Sequence, residues 1–334
     1  MVKIKNIFIA KTNSFARMIS PAILRAFSNQ NLILPFYHSI SNDSPIHIKN
    51  LYEVKSVEDF IKDLDFLLKY YKPLDYFEFV EIVKGNKKSK KPGFLLSFDD
   101  GLSEFYHIIA PLLLKKGIPA ICFLNSAFID NKGLFFRYKA SLLIEKYKQN
   151  PSLFEKTSIL KDKKNIQQYL LSVDYKNKEI LDKIAKKIDV SFEDYLMENK
   201  PYLSSEQIEE LIKKGFYFGS HSIDHPEYRF LNIEEQVSQT TDSMEFISSK
   251  FKLDYRIFSF PFTDYGLKRE FFNRIKSSID FTFGSAGIKS DEISFNFQRI
   301  AFENSGLSAR EIHNAEMLYY IAKSFFNKNT IRRR

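Results

Sequence analysis

Two short stretches of this 334-residue chain carry side chains that do chemistry. The first, LLSFDDGLSEF, ends an apolar run on Asp99 and Asp100. Adjacent carboxylates repel, and a charge leaving an apolar strand is costly unless something pairs with it. A turn closed by Gly101, with an aspartate capping the next helix, would account for one acid without chemistry. The second stretch, FGSHSIDHPEY, sets His221 and His225 at i, i+4, a spacing that puts both imidazoles on one side of a helical turn. Two histidines within reach of a carboxylate suit a divalent metal, zinc by preference, with solvent in the remaining position. Alone, each motif also reads as packing or capping. Together they explain each other: one aspartate binds the cation, and the other accepts a proton from water that the cation acidifies.

The elements between them must bring these residues together. Apolar, β-branched or aromatic runs predict strands at 32–39, 93–99, 120–126, 216–222, 256–262, 281–286 and 295–303. Helical patterns lie between them, with start signals at Ser56 and at Ser204 or Ser205. Several strands are almost continuously apolar, as parallel strands covered on both faces are. Seven strands alternating with helices predict a parallel α/β sheet, open or closed into a barrel. Both motifs fall at the ends of predicted strands, the edge where such folds place their sites. The segment from about 133 to 201 breaks the rhythm; it is lysine-rich, helical in pattern, and reads as an insertion on one strand-to-helix connection.

SFDDG and SHSIDH, in this order and on these strands, resemble the first two motifs of the polysaccharide deacetylase superfamily, the NodB-homology proteins of carbohydrate esterase family 4. The likeness runs from about Leu32 to Glu303, and FSFPFTDYG resembles the third motif, with Pro261 in place. It implies a distorted (β/α)7 barrel, with Asp99 as general base and Asp100, His221 and His225 as metal ligands. By the same analogy a backbone N–H near Phe262 faces the oxyanion. Two departures stand out. The arginine that braces the base in many third motifs is replaced by Ser259, leaving Arg299 in the last strand as a brace or as a structural salt bridge. No suitable histidine follows Arg299, since His313 sits in a helical pattern. LPFYHSIS instead offers His38 at the end of the first strand, resembling the permuted poly-N-acetylglucosamine deacetylases, whose acid is N-terminal. His47 is a weaker candidate.

The implied reaction is hydrolysis of N-acetyl groups on an amino-sugar glycan or its precursor. An O-acetyl esterase, a silent glycan-binding module and a phosphohydrolase are the competing classes; the last usually needs DxD spacing, which Asp99-Asp100 lacks. The net charge of +9 is diffuse apart from KGNKKSKK (84–91) and the terminal IRRR, both read as solvated runs, the second within a basic tail at 322–334, so no nucleic-acid partner is expected. The lone Cys122 forms no internal disulfide. No apolar run approaches the roughly 20 residues of a membrane span, and the apolar start stops at Lys11. The expectation is a single catalytic domain in the cytoplasm, with an amphipathic extension at 1–30 giving at most peripheral membrane contact. A lipid-linked or nucleotide-linked sugar is then the more natural substrate.

Overall fold

The computed structural model describes residues 16, 18–87, 91–161, 163–303 and 306–334. Most of the N-terminal extension and the centre of the 84–91 lysine run therefore lie outside the described residues.

Most of the short strands are buried on both faces, as their nearly continuous apolar sequence requires. In chain order the strands are β1 (Pro35–Tyr37), β2 (Leu96–Phe98), β3 (Ala120–Leu124), β4 (Tyr217–Ser220), β5 (Ile257–Ser259), β6 (Phe281–Gly284), β7 (Asn296–Gln298) and β8 (Ile300–Ala301). They pair in parallel in the order β7-β6-β5-β4-β3-β2-β1-β8. The two ends of that series, β7 and β8, are one stretch of chain divided at Arg299. The Arg299 N–H donates to Gly284 O while the Ile300 and Phe302 N–H groups donate to Leu34 and Phe36. The last strand thus bonds β6 with one half and β1 with the other, and the sheet closes as a (β/α) barrel of seven staves. These are the seven strands expected from sequence, shortened at their ends.

The intervening helices start where polar caps dictate. Ser56 accepts from Asp59 N before Val57–Tyr70, and reciprocal capping boxes open Ser205–Lys213, Ile233–Phe251 and Ala309–Ser324. Aromatic side chains such as Phe60, Phe98, Phe105, Phe218 and Phe258 fill the layer between strands and helices. One buried ion pair ties three elements: Lys55 Nζ lies 2.5 Å from Asp63, which also accepts from Tyr37 Oη at 3.0 Å and from Ala309 N at 2.7 Å.

Between β3 and Ser205 the chain forms the helices Phe136–Gln149, Ile166–Ser172, Glu179–Lys187 and Phe192–Asn199, with 3-10 turns between them. Leu143, Ile144, Leu170, Leu181 and Ile184 form their shared apolar cluster, which joins the barrel through Ile48 and Leu102. One expectation changes. The terminal IRRR is not a wholly solvated run: Thr330–Ile331 pairs with Ser290–Asp291, and Arg333 is buried against Asp264 and Asp291. Two buried carboxylates supply the reason. His313 lies in the helix Ala309–Ser324, as its pattern predicts, and is fully buried, with Nε2 2.5 Å from Tyr71 Oη. No helix among the described residues is long and apolar enough to cross a membrane.

Replacing Asp63 with alanine strands the buried Lys55 ammonium and is expected to destabilise the fold by about 3–5 kcal/mol, read as a lowered denaturant midpoint. An unchanged midpoint would show that the ion pair contributes no stability.

Candidate active site

Parallel strands aim all their C-terminal ends at one rim. Asp99 follows β2, His221 follows β4, Phe260 follows β5 and His38 follows β1, so residues far apart in sequence meet there. The ladder carries on past the strand ends to fix them: Asp99 N donates to Tyr37 O at 3.0 Å, His221 N to Leu124 O at 2.8 Å, and Phe260 N to Phe283 O at 3.0 Å.

Three groupings occupy this rim. In the first, Arg299 reaches from the last strand to grip Asp99 with both prongs, Nη1 to Oδ1 at 2.8 Å and Nη2 to Oδ2 at 2.7 Å. The pair is almost wholly buried. Ser259 sits beside it, its Oγ accepting from Arg299 Nη2 at 2.5 Å and 3.4 Å from Asp99 Oδ2. Burial alone would raise the Asp99 pKa, but the Arg299 guanidinium, with contributions from His221 and His38, reverses this and holds the carboxyl below its ordinary value. Arg299 is therefore the residue that holds Asp99 in place, through a bidentate ion pair.

The second grouping is Asp100, His221 and His225. One ligating atom from each lies within 4.8 Å of the others, and all three residues are buried. Asp100 Oδ1 is 3.6 Å from His221 Nε2 and 3.2 Å from His225 Nε2. Those three atoms are buried without any hydrogen-bond partner. Three orphaned buried acceptors facing one point are what a cation's ligands look like before it binds, so a divalent metal fits these residues. The outer contacts agree. His221 Nδ1 donates to Ser259 O at 2.8 Å, directing the Nε2 lone pair inward, and Tyr138 Oη donates to Asp100 Oδ2 at 3.0 Å. Burial lowers the His221 pKa to about 4, which keeps the imidazole in the neutral form that ligates.

The backbone achieves this by an unexpected route. The spacing of His221 and His225 suggests a helical turn, but residues 221–225 form an irregular loop. Positive φ angles at Ser222 (73°) and His225 (65°) fold it back, with Ser222 Oγ accepting from His225 N at 3.0 Å. Asp100 (72°) and Phe262 (56°) share this left-handed conformation, which is uncommon for residues other than glycine and is held only where packing enforces it. At Phe262 it makes a three-residue turn, with Thr263 N donating to Pro261 O at 2.6 Å. The Phe262 ring lies 4.7 Å from that of His225, and the buried Phe135 ring packs on His225 at 4.3 Å.

The third grouping was only half visible in sequence. His38 Nδ1 lies 2.5 Å from Glu303 Oε2, both side chains remaining partly open to solvent. Desolvation lowers the His38 pKa, but Glu303, with smaller contributions from Asp100 and Asp99, reverses this and raises it to about 10. His47 takes no such role: its Nδ1 is 2.7 Å from Tyr195 Oη, its ring packs on Tyr138, and burial takes its pKa down to about 4. Of the aromatics near the strand ends, Tyr37 and Phe283 are core, whereas Phe262 and Tyr265 are exposed. The residues sequence missed are Glu303, Tyr138, Phe135 and Arg137. Glu303 had a faint signal, standing four places beyond Arg299 and so on the same side of a strand.

A family profile described as polysaccharide deacetylase matches residues 86–271. Among solved structures the chain is similar to the Streptococcus pyogenes deacetylase PplD in complex with acetate, at 14% identity and a TM-score of 0.56 over 85% of this chain and 97% of that one. It is also similar to IcaB from Ammonifex degensii (13%, TM-score 0.53, 86% and 97% covered). A de-N-acetylase from Aggregatibacter actinomycetemcomitans gives 14%, a TM-score of 0.55, and coverage of 85% and 99%. At these identities the likeness establishes the fold, a (β/α) barrel of the kind these deacetylases have. No curated protein matches the chain in sequence.

Glu303→Gln is expected to move the His38 titration, followed by NMR of its ring protons, well down from about 10. A folded pKa above the unfolded value of about 6.5 stabilises the fold fully below pH 6.5 and loses that contribution as pH rises through the folded pKa. The variant should lose this alkaline dependence of stability. An unchanged titration would remove Glu303 as its cause.

Proposed function

The chain belongs to the polysaccharide deacetylase family, and from that premise we propose that it is a metal-dependent hydrolase releasing acetate from the N-acetyl groups of an amino-sugar glycan or glycan precursor. The observation that carries this reading is the set of buried, partnerless ligand atoms on Asp100, His221 and His225, flanked by one carboxylate held ionised and one histidine held protonated.

Asp100, His221 and His225 would hold the cation, zinc being the best match to two imidazoles and a carboxylate. When bound, the cation supplies Lewis acidity, lowering the pKa of a water and drawing electron density from the acetyl carbonyl. Asp99 takes the proton from the attacking water, and Arg299 keeps its carboxylate turned toward that task. The backbone N–H at the Phe262 turn stabilises the tetrahedral oxyanion. His38 then passes a proton to the departing nitrogen, and Glu303 steadies the imidazolium until it does so. Acetate and a free amino sugar result. An amine is a poor leaving group and needs that proton far more than an alcohol does; an acid held at about 10 stays charged through neutral pH and favours amide over ester cleavage.

Asp99→Asn is expected to retain the divalent metal, measured by elemental analysis, while losing about 10²–10⁴-fold in acetate release from chitooligosaccharides. Asp100→Ala should lose both metal and turnover. Retention of full turnover by either variant would overturn the assignment. His38→Ala should lower hydrolysis of an N-acetyl substrate more than that of a matched O-acetyl substrate; equal losses would remove His38 as the acid.

A further inference from the structure

One cation at the mouth of this site has no counter-ion among the described residues. Arg137 opens the helix Phe136–Gln149, next to Tyr138, which holds Asp100. Its guanidinium stacks over the Phe262 ring at 5.1 Å and the Phe136 ring at 5.9 Å. Phe262 in turn packs on His225, so the charge stands two ring contacts from a metal ligand. Arg137 is half-buried, its Nε is shut away from water with no hydrogen-bond acceptor, and no carboxylate among the described residues forms an ion pair with it. The acid whose charge reaches it is Glu227, and that carboxylate is already taken by Arg229 at 2.7 Å. Its neighbours differ: Lys139 pairs with Asp182, and Lys178 pairs with Asp224.

A desolvated arginine without a partner is costly unless a ligand supplies the missing charge. The two ring contacts hold the guanidinium in place, and its fork of N–H donors suits a bidentate acceptor, the geometry that carboxylates and phosphates share. Resting on the deacetylase reading above, we propose that Arg137 is a specificity-determining residue that binds an oxyanion, phosphoryl or carboxylate, carried by the amino-sugar substrate itself. The acetylated nitrogen would then lie over Asp99 while the anionic substituent is gripped at the rim beside Phe262. An anchor of this kind acts through KM, because it holds the ground state and the transition state alike.

The test compares three small substrates, N-acetylglucosamine 1-phosphate, an N-acetylated amino-uronic acid and neutral N-acetylglucosamine, by acetate release and by calorimetric binding. The native protein is expected to favour one of the anionic sugars over the neutral one by about tenfold or more, chiefly in KM, since a charge-assisted contact is worth at least a factor of ten. Which anion is favoured identifies the group. Arg137→Gln should bring that ratio close to one, and Arg137→Lys should restore part of it. A ratio near one in the native protein, or a ratio unchanged in Arg137→Gln, overturns the proposal. If no sugar yields acetate, the deacetylase reading falls by itself. Calorimetric preference for the anionic sugar, lost in Arg137→Gln, would still support the anion site, and equal binding by both proteins would refute it.

Discussion

Arg299 and Asp99 form a two-pronged ion pair almost wholly out of contact with water, at the centre of the barrel's rim. Such a pair is not a cheap source of stability, because two charges must be stripped of solvent before they attract each other. Its value lies in what it does to the residues around it. The guanidinium also binds Ser97 on β2 and Ser259 on β5, so one side chain from the last strand ties the walls of the barrel together. It also lets two carboxylates stand side by side in a buried place. Asp99 is neutralised by arginine from below, while Asp100 is turned away by its left-handed backbone toward two imidazoles and a tyrosine hydroxyl. The adjacent acids therefore face different electrostatic environments, which is how identical side chains acquire different work.

The remainder of the site is strained loop held by rigid scaffold. Four non-glycine residues with positive φ, Asp100, Ser222, His225 and Phe262, sit within or beside the cluster of Asp100, His221 and His225. Conformations of this kind cost of the order of 1–3 kcal/mol each and persist only where packing over-determines them. The aromatic contacts of Phe135 and Phe262 with His225 supply that packing, and so does the C-terminal Arg333, which holds Asp264 two residues beyond Phe262. The insertion helix Phe136–Gln149 adds the hydroxyl on Asp100 and the stacked arginine beside it.

How much of this the sequence disclosed depended on range. The staves were legible because a parallel strand covered on both faces leaves an unbroken apolar run, and the doublet and the histidine pair stood out because charge or imidazole interrupted such runs. His38 was found by the same argument, at the end of its strand. Partnerships across hundreds of residues carried no local mark. Nothing in FQRIAFE distinguishes a brace for Asp99 from an ordinary salt bridge, and Glu303 was overlooked although it lies within the same heptapeptide. The histidine spacing was read with helical periodicity when two left-handed residues in a loop do the folding. Arg333 looked solvated because its acids, Asp264 and Asp291, come from distant stretches of the chain.

The split last strand carries a consequence for biosynthesis. Both the guanidinium that tunes Asp99 and the carboxylate that charges His38 belong to residues 299–303, at the seam where the ring is sealed. A chain emerging from the ribosome already possesses its aspartates and imidazoles long before that stretch has been made. Until the seam is stitched, Asp99 lacks its guanidinium and His38 its carboxylate. Sealing the ring and supplying both partners are thus a single event.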